Sequence, residues 1–397
     1  MNAPHEWLQF RLNQSNNAVL AGTLAVTWSL KTGGGFSSSP AIVDNAMYIG
    51  NNAGVLYAID YHTGKVLWTY AAKAPLMSNP IVTGDVVIVG EGDQNTSSHG
   101  DDGTMLVGAG ENALIAVGRA DGKERWRVTL DGSAMPTPAL IDGTLVQHIG
   151  SGLLAAIDPR AGTVIYSKDI RSVASMSAAL PIDNTHFVSA GASRNIVWNF
   201  NAKDGSAAWL KHFSRTASGL GDCPPAGDGT RVYCDYLMPP DGYNETGAGQ
   251  LATEHIYALD AASGKLDWDV PAESGTVPAW NEAAIPLIDN GRVFAGSSIA
   301  PWMHAYDAAT GALVWRTPVH GAVKGGIAAK DGRLYFGDTN GDLWALDERT
   351  GSTLGVRHYD TSFNVGSPVI AGNTLIIGSN TGLIIATPLS AIALPRR

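Results

Sequence analysis

Short apolar runs alternate along the chain with Gly, Asn and Asp pairs, and the alternation repeats as one larger unit. The unit reads: apolar run, Asp-Gly-type turn, apolar run, small-residue loop, Leu-x-Ala-x-Asp, then x-x-Thr-Gly-x-x-x-Trp. The first copy spans Ser38 to Tyr70 and holds PAIVD, AMYIG, GVLYAID and HTGKVLW, which ends at Trp68. Later copies end at Trp126, Tyr166, Trp209, Trp268 and Trp315. In a seventh, Gly355 stands where the Trp would be. An eighth begins at Gly366 and stops after three apolar runs. Period-two alternation rich in Val, Ile and Tyr predicts strands, and the polar pairs between them predict tight turns. Each unit is therefore four strands, A to D.

The missing fourth strand of the last unit has a candidate at the other end of the chain. Residues 24–30 carry the D pattern with Trp28. An open ring leaves bare sheet edges, and a strand from the N-terminus would close it. The expectation is an all-β, eight-bladed propeller of four-stranded antiparallel blades in one domain. It has an N-terminal arm (1–23), the closing strand (24–30), and blades at about 38–71, 77–130, 135–170, 176–213, 222–271, 282–318, 324–359 and 365–389. One large aromatic per unit is expected to pack between neighbouring blades.

Composition narrows the function. Of 397 residues, 45% are hydrophobic, enough for a real core, and no apolar run approaches the length of a membrane-spanning helix. A net charge of −10 argues against a nucleic-acid backbone as partner. Two cysteines are too few for a disulfide scaffold or a structural zinc site. A two-residue turn at Asp228-Gly229 would pair Cys223 directly with Cys234. Opposed residues lie within disulfide range, so a bridge, and with it an exported protein, is favoured over two buried thiols. The start, Met1 to Trp7, shows no leader pattern and reads as a cytoplasmic start or a mature exported chain.

The A-x-D-x-x-T-G-x-x-x-W motifs, best at Ala58–Trp68, Ala258–Trp268 and Ala305–Trp315, resemble the pyrroloquinoline-quinone (PQQ)-type propeller family. The opening Glu6-Trp7-Leu8-Gln9-Phe10-Arg11, with Asn16-Asn17, is similar to that family's N-terminal signature. The resemblance implies the propeller fold. It leaves function open, because the family includes quinoprotein dehydrogenases, a non-enzymatic outer-membrane assembly lipoprotein and polythionate hydrolases.

Aligning the eight A strands puts one residue per blade at the mouth of the central channel: Ser37, Met77, Met135, Met176, Asp222, Glu282, Lys324 and Val365. A charged arc, Asp222, Glu282 and Lys324, thus faces an arc of methionines. Either it forms a ligand site or it is an ion-pair network that plugs the channel. Asn79, Trp280, Asn281 and Asn364 adjoin the ring. Arg171, Arg215, His320 and His358 fall in D–A loops of the same face, and Arg194 in a B–C loop; together they could attract an anion. Two polar insertions, 92–110 and 238–253, map to this face, where long loops on a rigid scaffold concentrate function. The first holds His99, Asp101 and Asp102, a weak metal candidate.

Three functions follow. As a quinoprotein-like oxidoreductase of small alcohols or aldehydes, the chain would bind PQQ, with Asp222, Asn281 and Glu282 holding Ca²⁺. Lys324 would stand by the quinone, and Arg171, Arg215, Asn79, Asn364 and Trp280 would add cofactor contacts. One carboxylate would be the base, and the electron acceptor would be external, since no Cys-x-x-Cys-His is present. Against this, the chain lacks the adjacent cysteine pair usual in those enzymes and a clear aromatic floor for the cofactor, although Trp280 and Trp302 lie near the right face. As a cofactor-free hydrolase of a small anion such as a polythionate, Asp222 or Glu282 would be the acid or base and Lys324 would hold the anion. As a scaffold, the chain would bind a protein partner.

Overall fold

The computed structural model describes residues 4–393 except 94–95, 99–103, 107, 109, 192–194, 217–219, 221, 242–247 and 280–282; for 96–98 and 104–106 it describes backbone alone. The strands form eight four-stranded antiparallel blades, A innermost and D outermost. Blade one is Ala41–Val43, Ala46–Gly50, Val55–Asp60 and Val66–Ala71. Blades two to seven follow, with A strands at Ile81–Thr83, Ala139–Ile141, Leu180–Pro181, Ala226–Gly227, Leu287–Asp289 and Ala328–Lys330. Blade eight takes three strands from the C-terminal end of the chain, and its D strand is Trp28–Lys31, antiparallel to Leu383–Pro388. The ring closes as its repeat predicts.

The repeated Trp shows how neighbouring blades lock. In seven blades the C–D pairing shifts by one residue at the same place, as between Ala58 and Ile59, where Ala58 faces Trp68 but Ile59 faces Val66. The skipped residue, here Leu67, turns outward, and the bulge aims the aromatic sideways. Trp268 then donates its indole N–H to Ala308 O (3.0 Å), and Trp315 to Glu348 O (3.1 Å). Each ring lies on the Thr-Gly-type turn of the next blade. At Gly311, φ is +72° and a Cβ would come within 2.8 Å of the Trp268 ring, so only glycine serves both demands. Gly355, which replaces the seventh Trp, lies under the C-terminal helix Leu389–Ile392: a Cβ there would meet Ile392 O at 2.0 Å. The helix fills the space an indole takes elsewhere.

The arm closes one end of the channel. Residues 7–20 run round the inner A strands, one blade after another. Trp7 bridges Val82, and Leu140 N–H donates to Leu8 O, Gly227 N–H to Gln14 O, Ile288 N–H to Ser15 O and Ile370 N–H to Ala18 O. Val19–Leu20 then pairs in parallel with Val369–Ala371 as a fifth, innermost strand. Arg11 is buried and donates to Asn16 O (2.7 Å), Pro368 O (3.0 Å) and Ile327 O (2.5 Å). Burial pulls its pKa down to about 9, which leaves it charged at neutral pH. Phe10, beside it, packs on Ala178 and Ile285.

Candidate functional site at the channel mouth

At the opposite end, four of the eight residues of the expected ring come together in the loops leading into the A strands. Ser37, Met176, Asp222 and Val365 line a cavity there, with Ser39, Asn79, Pro224, Ala283 and Ile285, and Phe10 rises into it from the arm. The cavity is small, about 270 Å³ with its share of open solvent included. Its wall is a belt of hydrogen bonds between neighbouring blades. Ser367 N–H donates to Ser39 Oγ, Ser39 N–H to Asn79 Oδ1, Asn79 Nδ2 to Thr137 Oγ1, and Ser177 Oγ to Cys223 O. Both polar ends of Asn79 are therefore used within the belt.

The other predicted residues fall as follows. Met135 is buried with Val173, and Met77 and Met176 pack against them, so the methionine arc is one cluster. Lys324 is buried in the loop before blade seven. Asn364, before blade eight, has a buried Oδ1 with no partner. Arg171 is exposed and lies 3.6 Å from Asp169. Arg215 donates to Pro239 O and Pro240 O and pairs with Asp241 at 3.2 Å, which ties it to the blade-five insertion. His320 and His358 both direct Nδ1 at the buried Asp342, at 2.6 and 2.9 Å. Arg316, not His or Arg of these loops, covers the Trp302 ring at 4.5 Å. Trp280, Asn281, Glu282, Arg194, His99, Asp101 and Asp102 lie outside the described residues.

Cys223 and Cys234 form a disulfide, with Cα atoms 6.2 Å apart. The pairing that predicted it needs correction. Ala226 faces Tyr233 and Gly227 faces Val232, so the turn centres on Gly229-Thr230 and the cysteines are not directly opposed. Asp228 moves the turn: its Oδ1 accepts from Thr230 and Arg231 N–H and draws the chain round one residue later.

Beside the bridge lies a residue that the ring alignment passes over. Asp235 is 2% exposed. Its Oδ2 accepts from Ala284 N–H (2.8 Å), and its Oδ1 has no partner. Glu254, on the next strand, is 1% exposed. Its Oε1 accepts from Ser298 N–H and Oγ, and its Oε2 has no partner. Burial, reinforced by the charge of Glu254 and then of Asp222, drives the Asp235 pKa well above the ordinary carboxyl range. Burial likewise raises Glu254. Burial thus favours the protonated form of Asp235. The sequence does carry a signal: an acid inside each of two apolar strands, VYCDYL and ATEHIYAL, where alternation alone would leave it unpaired in the core.

The geometry bears on cofactors. Phe10 lines the cavity at the mouth together with Asp222, and two of the three expected calcium ligands, Asn281 and Glu282, lie outside the described residues. Among the described residues, one group of His, Cys, Asp or Glu donors lies close enough to share an ion: Cys223, Cys234 and Asp235. Its sulfurs are spent in the disulfide, so a single carboxylate is left, too little for a hard cation that wants six to eight oxygens. No helix of the described residues is long and apolar enough to cross a membrane.

A family model described as outer membrane protein assembly factor BamB matches residues 17–99, 95–223 and 252–390. The chain belongs to this family of PQQ-type propellers. It is 26% identical over 381 residues to a tetrathionate hydrolase of Acidithiobacillus ferrooxidans, covering 90% of this chain and 74% of that one. It is 23% identical over 382 residues to the assembly factor BamB of Yersinia pestis, covering 90% and 87%. The fold matches the quinohemoprotein alcohol dehydrogenase ADHIIG of Pseudomonas putida HK5 with a TM-score of 0.67 at 13% identity, covering 100% of this chain and 82% of that one. PQQ-type propellers thus include hydrolases, assembly factors and dehydrogenases, and the choice between them rests on the site.

Proposed function

We propose that this propeller is a cofactor-free hydrolase of a small sulfur-chain anion of the polythionate class, acting at the channel mouth. The observation that carries the reading is Asp235: a buried carboxyl bonded to Ala284 N–H under the mouth, next to the bridge and close enough to Asp222 to feel its charge. The similarity to a tetrathionate hydrolase over most of both chains supports it. Hydrolysis needs neither quinone nor metal, and the one described group of donors close enough to share an ion has its sulfurs in the disulfide.

Hydrolysis needs a base for water, an acid for the leaving sulfur and a cation for the anion. Asp222 takes the proton of the attacking water. The water oxygen bonds to a terminal sulfonate sulfur, the adjacent S–S bond breaks, and the sulfonate leaves as sulfate. Asp235 protonates the departing sulfur. For tetrathionate the balance is S₄O₆²⁻ + H₂O → SO₄²⁻ + HS₃O₃⁻ + H⁺. Lys324 holds the anion, and the Met77, Met135 and Met176 cluster borders its sulfur chain with polarizable atoms. The disulfide supports an exported location.

The test is sulfate release from tetrathionate by the purified chain, from acidic to neutral pH. Asp235→Asn should lower kcat by about 10²-fold or more, the usual worth of an acid–base group. If the wild-type chain releases no sulfate at any pH, the hydrolase reading fails. The channel closed by the arm would then favour the scaffold reading, in which the propeller docks a protein partner as an assembly factor does.

A further inference from the structure

Blade five places one acid on each of its four levels, from the channel outward. Asp222 precedes strand A, Asp235 is on B (Arg231–Met238), Glu254 on C (Leu251–Asp260) and Glu273 on D (Leu266–Thr276). The register makes them a row. Asp235 faces Ile256 and Leu237 faces Glu254, so the two acids are diagonal neighbours on one face. The C–D pairing skips between Thr253↔Ser274 and His255↔Pro271, which sets Glu254 beside Glu273. Three of the row's members touch blade six. Asp235 accepts from Ala284 N–H, Glu254 from Ser298, and Glu273 lies 2.9 Å from His304 Nε2 and 3.2 Å from Arg316.

The inner and outer members differ in kind. Glu273 is paired with Arg316, which is half exposed and opens the row to solvent at the rim. Asp235 and Glu254 are met by backbone N–H groups and serine hydroxyls, none of them charged. Each keeps one buried oxygen with no partner, and so does the hydroxyl of Tyr306, which sits in the same cleft between Glu254 and Glu273 and feels both their charges. None of these three orphaned atoms bonds to another, so a proton passes between them only through bridging water or a side-chain swing. On the other face of the blade, Tyr236 and His255 bond to Asp269, a separate set.

We propose that this row is a proton path from the outer rim of the blade five–six cleft to the channel mouth, with Glu254 and Tyr306 as its relay groups and Glu273 with His304 as its outer gate. Its use rests on the hydrolase reading; its existence does not. After Asp235 gives its proton to the leaving sulfur, its oxygen takes the proton of Glu254. Glu254 takes one in turn through Tyr306 and Glu273 from rim water. One proton enters at the rim per turnover, and the two from the attacking water leave at the mouth or with the products. Burial raises both carboxyls, which favours the protonated forms from which such a relay starts.

The experiment is infrared spectroscopy of the full chain after rapid mixing into D₂O. Protonated buried carboxyls give a C=O stretch that moves down as H is replaced by D. Asp235→Asn and Glu254→Gln should each remove part of this band. In Glu273→Gln and, separately, Tyr306→Phe, the remaining Asp235 band should exchange about tenfold or more slowly, a barrier rise of about one decade. Asp222→Asn, at the mouth, should leave the exchange rate unchanged. In turnover, Tyr306→Phe should lower kcat and spare KM. The absence of a protonated-carboxyl band overturns the path, and so does exchange that depends on Asp222 but not on Glu273 or Tyr306. If the rim variants slow exchange while the wild-type chain leaves tetrathionate intact, the path stands and the hydrolase reading falls.

Discussion

Arg11→Met removes the one cation that holds the N-terminal arm in the channel. Met keeps most of the buried stem and leaves Asn16 O, Pro368 O and Ile327 O without their donor. A buried acceptor stripped of its partner costs about 1–3 kcal/mol. Three of them, with some relaxation, give a loss of about 3–6 kcal/mol. The arm has little to set against this. Arg11, Leu12 and Asn16 have φ of +51°, +74° and +59°, a region that costs an L residue about 1–2 kcal/mol. The unfolding entropy is about 2.1 cal/mol/K per residue, or about 0.8 kcal/mol/K for 397 residues. The melting temperature by circular dichroism should therefore fall by about 4–7 °C. Limited proteolysis with mass spectrometry should show cutting within residues 7–20 before the blades are touched. A melting temperature within about 1 °C of wild type, with an uncut arm, would refute the reasoning: the clamp would then be replaceable by packing alone.

Trp268→Ala should lower stability by about 3–5 kcal/mol in chemical denaturation, since it leaves a cavity between blades five and six and removes one of the two donors to Ala308 O, the other being the Tyr233 hydroxyl; a loss below about 1 kcal/mol would mean that Gly311 and its turn collapse onto the gap. Cys234→Ser opens a loop with a sequence separation of 11, and loop entropy puts the loss near 3 kcal/mol; wild type in reductant should show the same shift. Burial pushes the Asp342 carboxyl up, but the hydrogen bonds from His320 and His358 outweigh it and hold the pKa below its usual value. A depressed folded pKa stabilises above the unfolded pKa, about 3.9, and that stability is lost as pH falls through the folded value. Thermal melts of Asp342→Asn across acidic pH should therefore lack part of the wild-type decline, and parallel curves would sink this assignment.

The propeller was legible because a repeat states its own rules many times over. Each Trp and each Thr-Gly turn occurs once per blade, so the interlock that Trp268 makes with Gly311 could be inferred without coordinates, and the unit lacking its D strand pointed to Trp28. The mouth was half legible. Alignment of the A strands found Asp222, Ser37, Met176 and Val365, which line the cavity, because ring position depends on register alone. Alignment could not tell that Asn79 spends both polar ends on its neighbours or that Arg215 holds a loop, because those partners come from other blades.

Local pattern thus determined what each unit is and that eight of them close. Tertiary structure alone decided what the channel can hold. Phe10 packs on Ala178 and Ile285 and Arg11 reaches Ile327 and Pro368, all far away in sequence, and only the path of the arm brings them together under the mouth. The same holds for Asp235 and Glu254. A carboxyl in an apolar strand is charged or neutral according to how much water and how many cations surround it, and to these two acids blade six presents N–H groups and hydroxyls. Chemistry at this site is set by what faces each acid across the cleft, which no stretch of its own strand records.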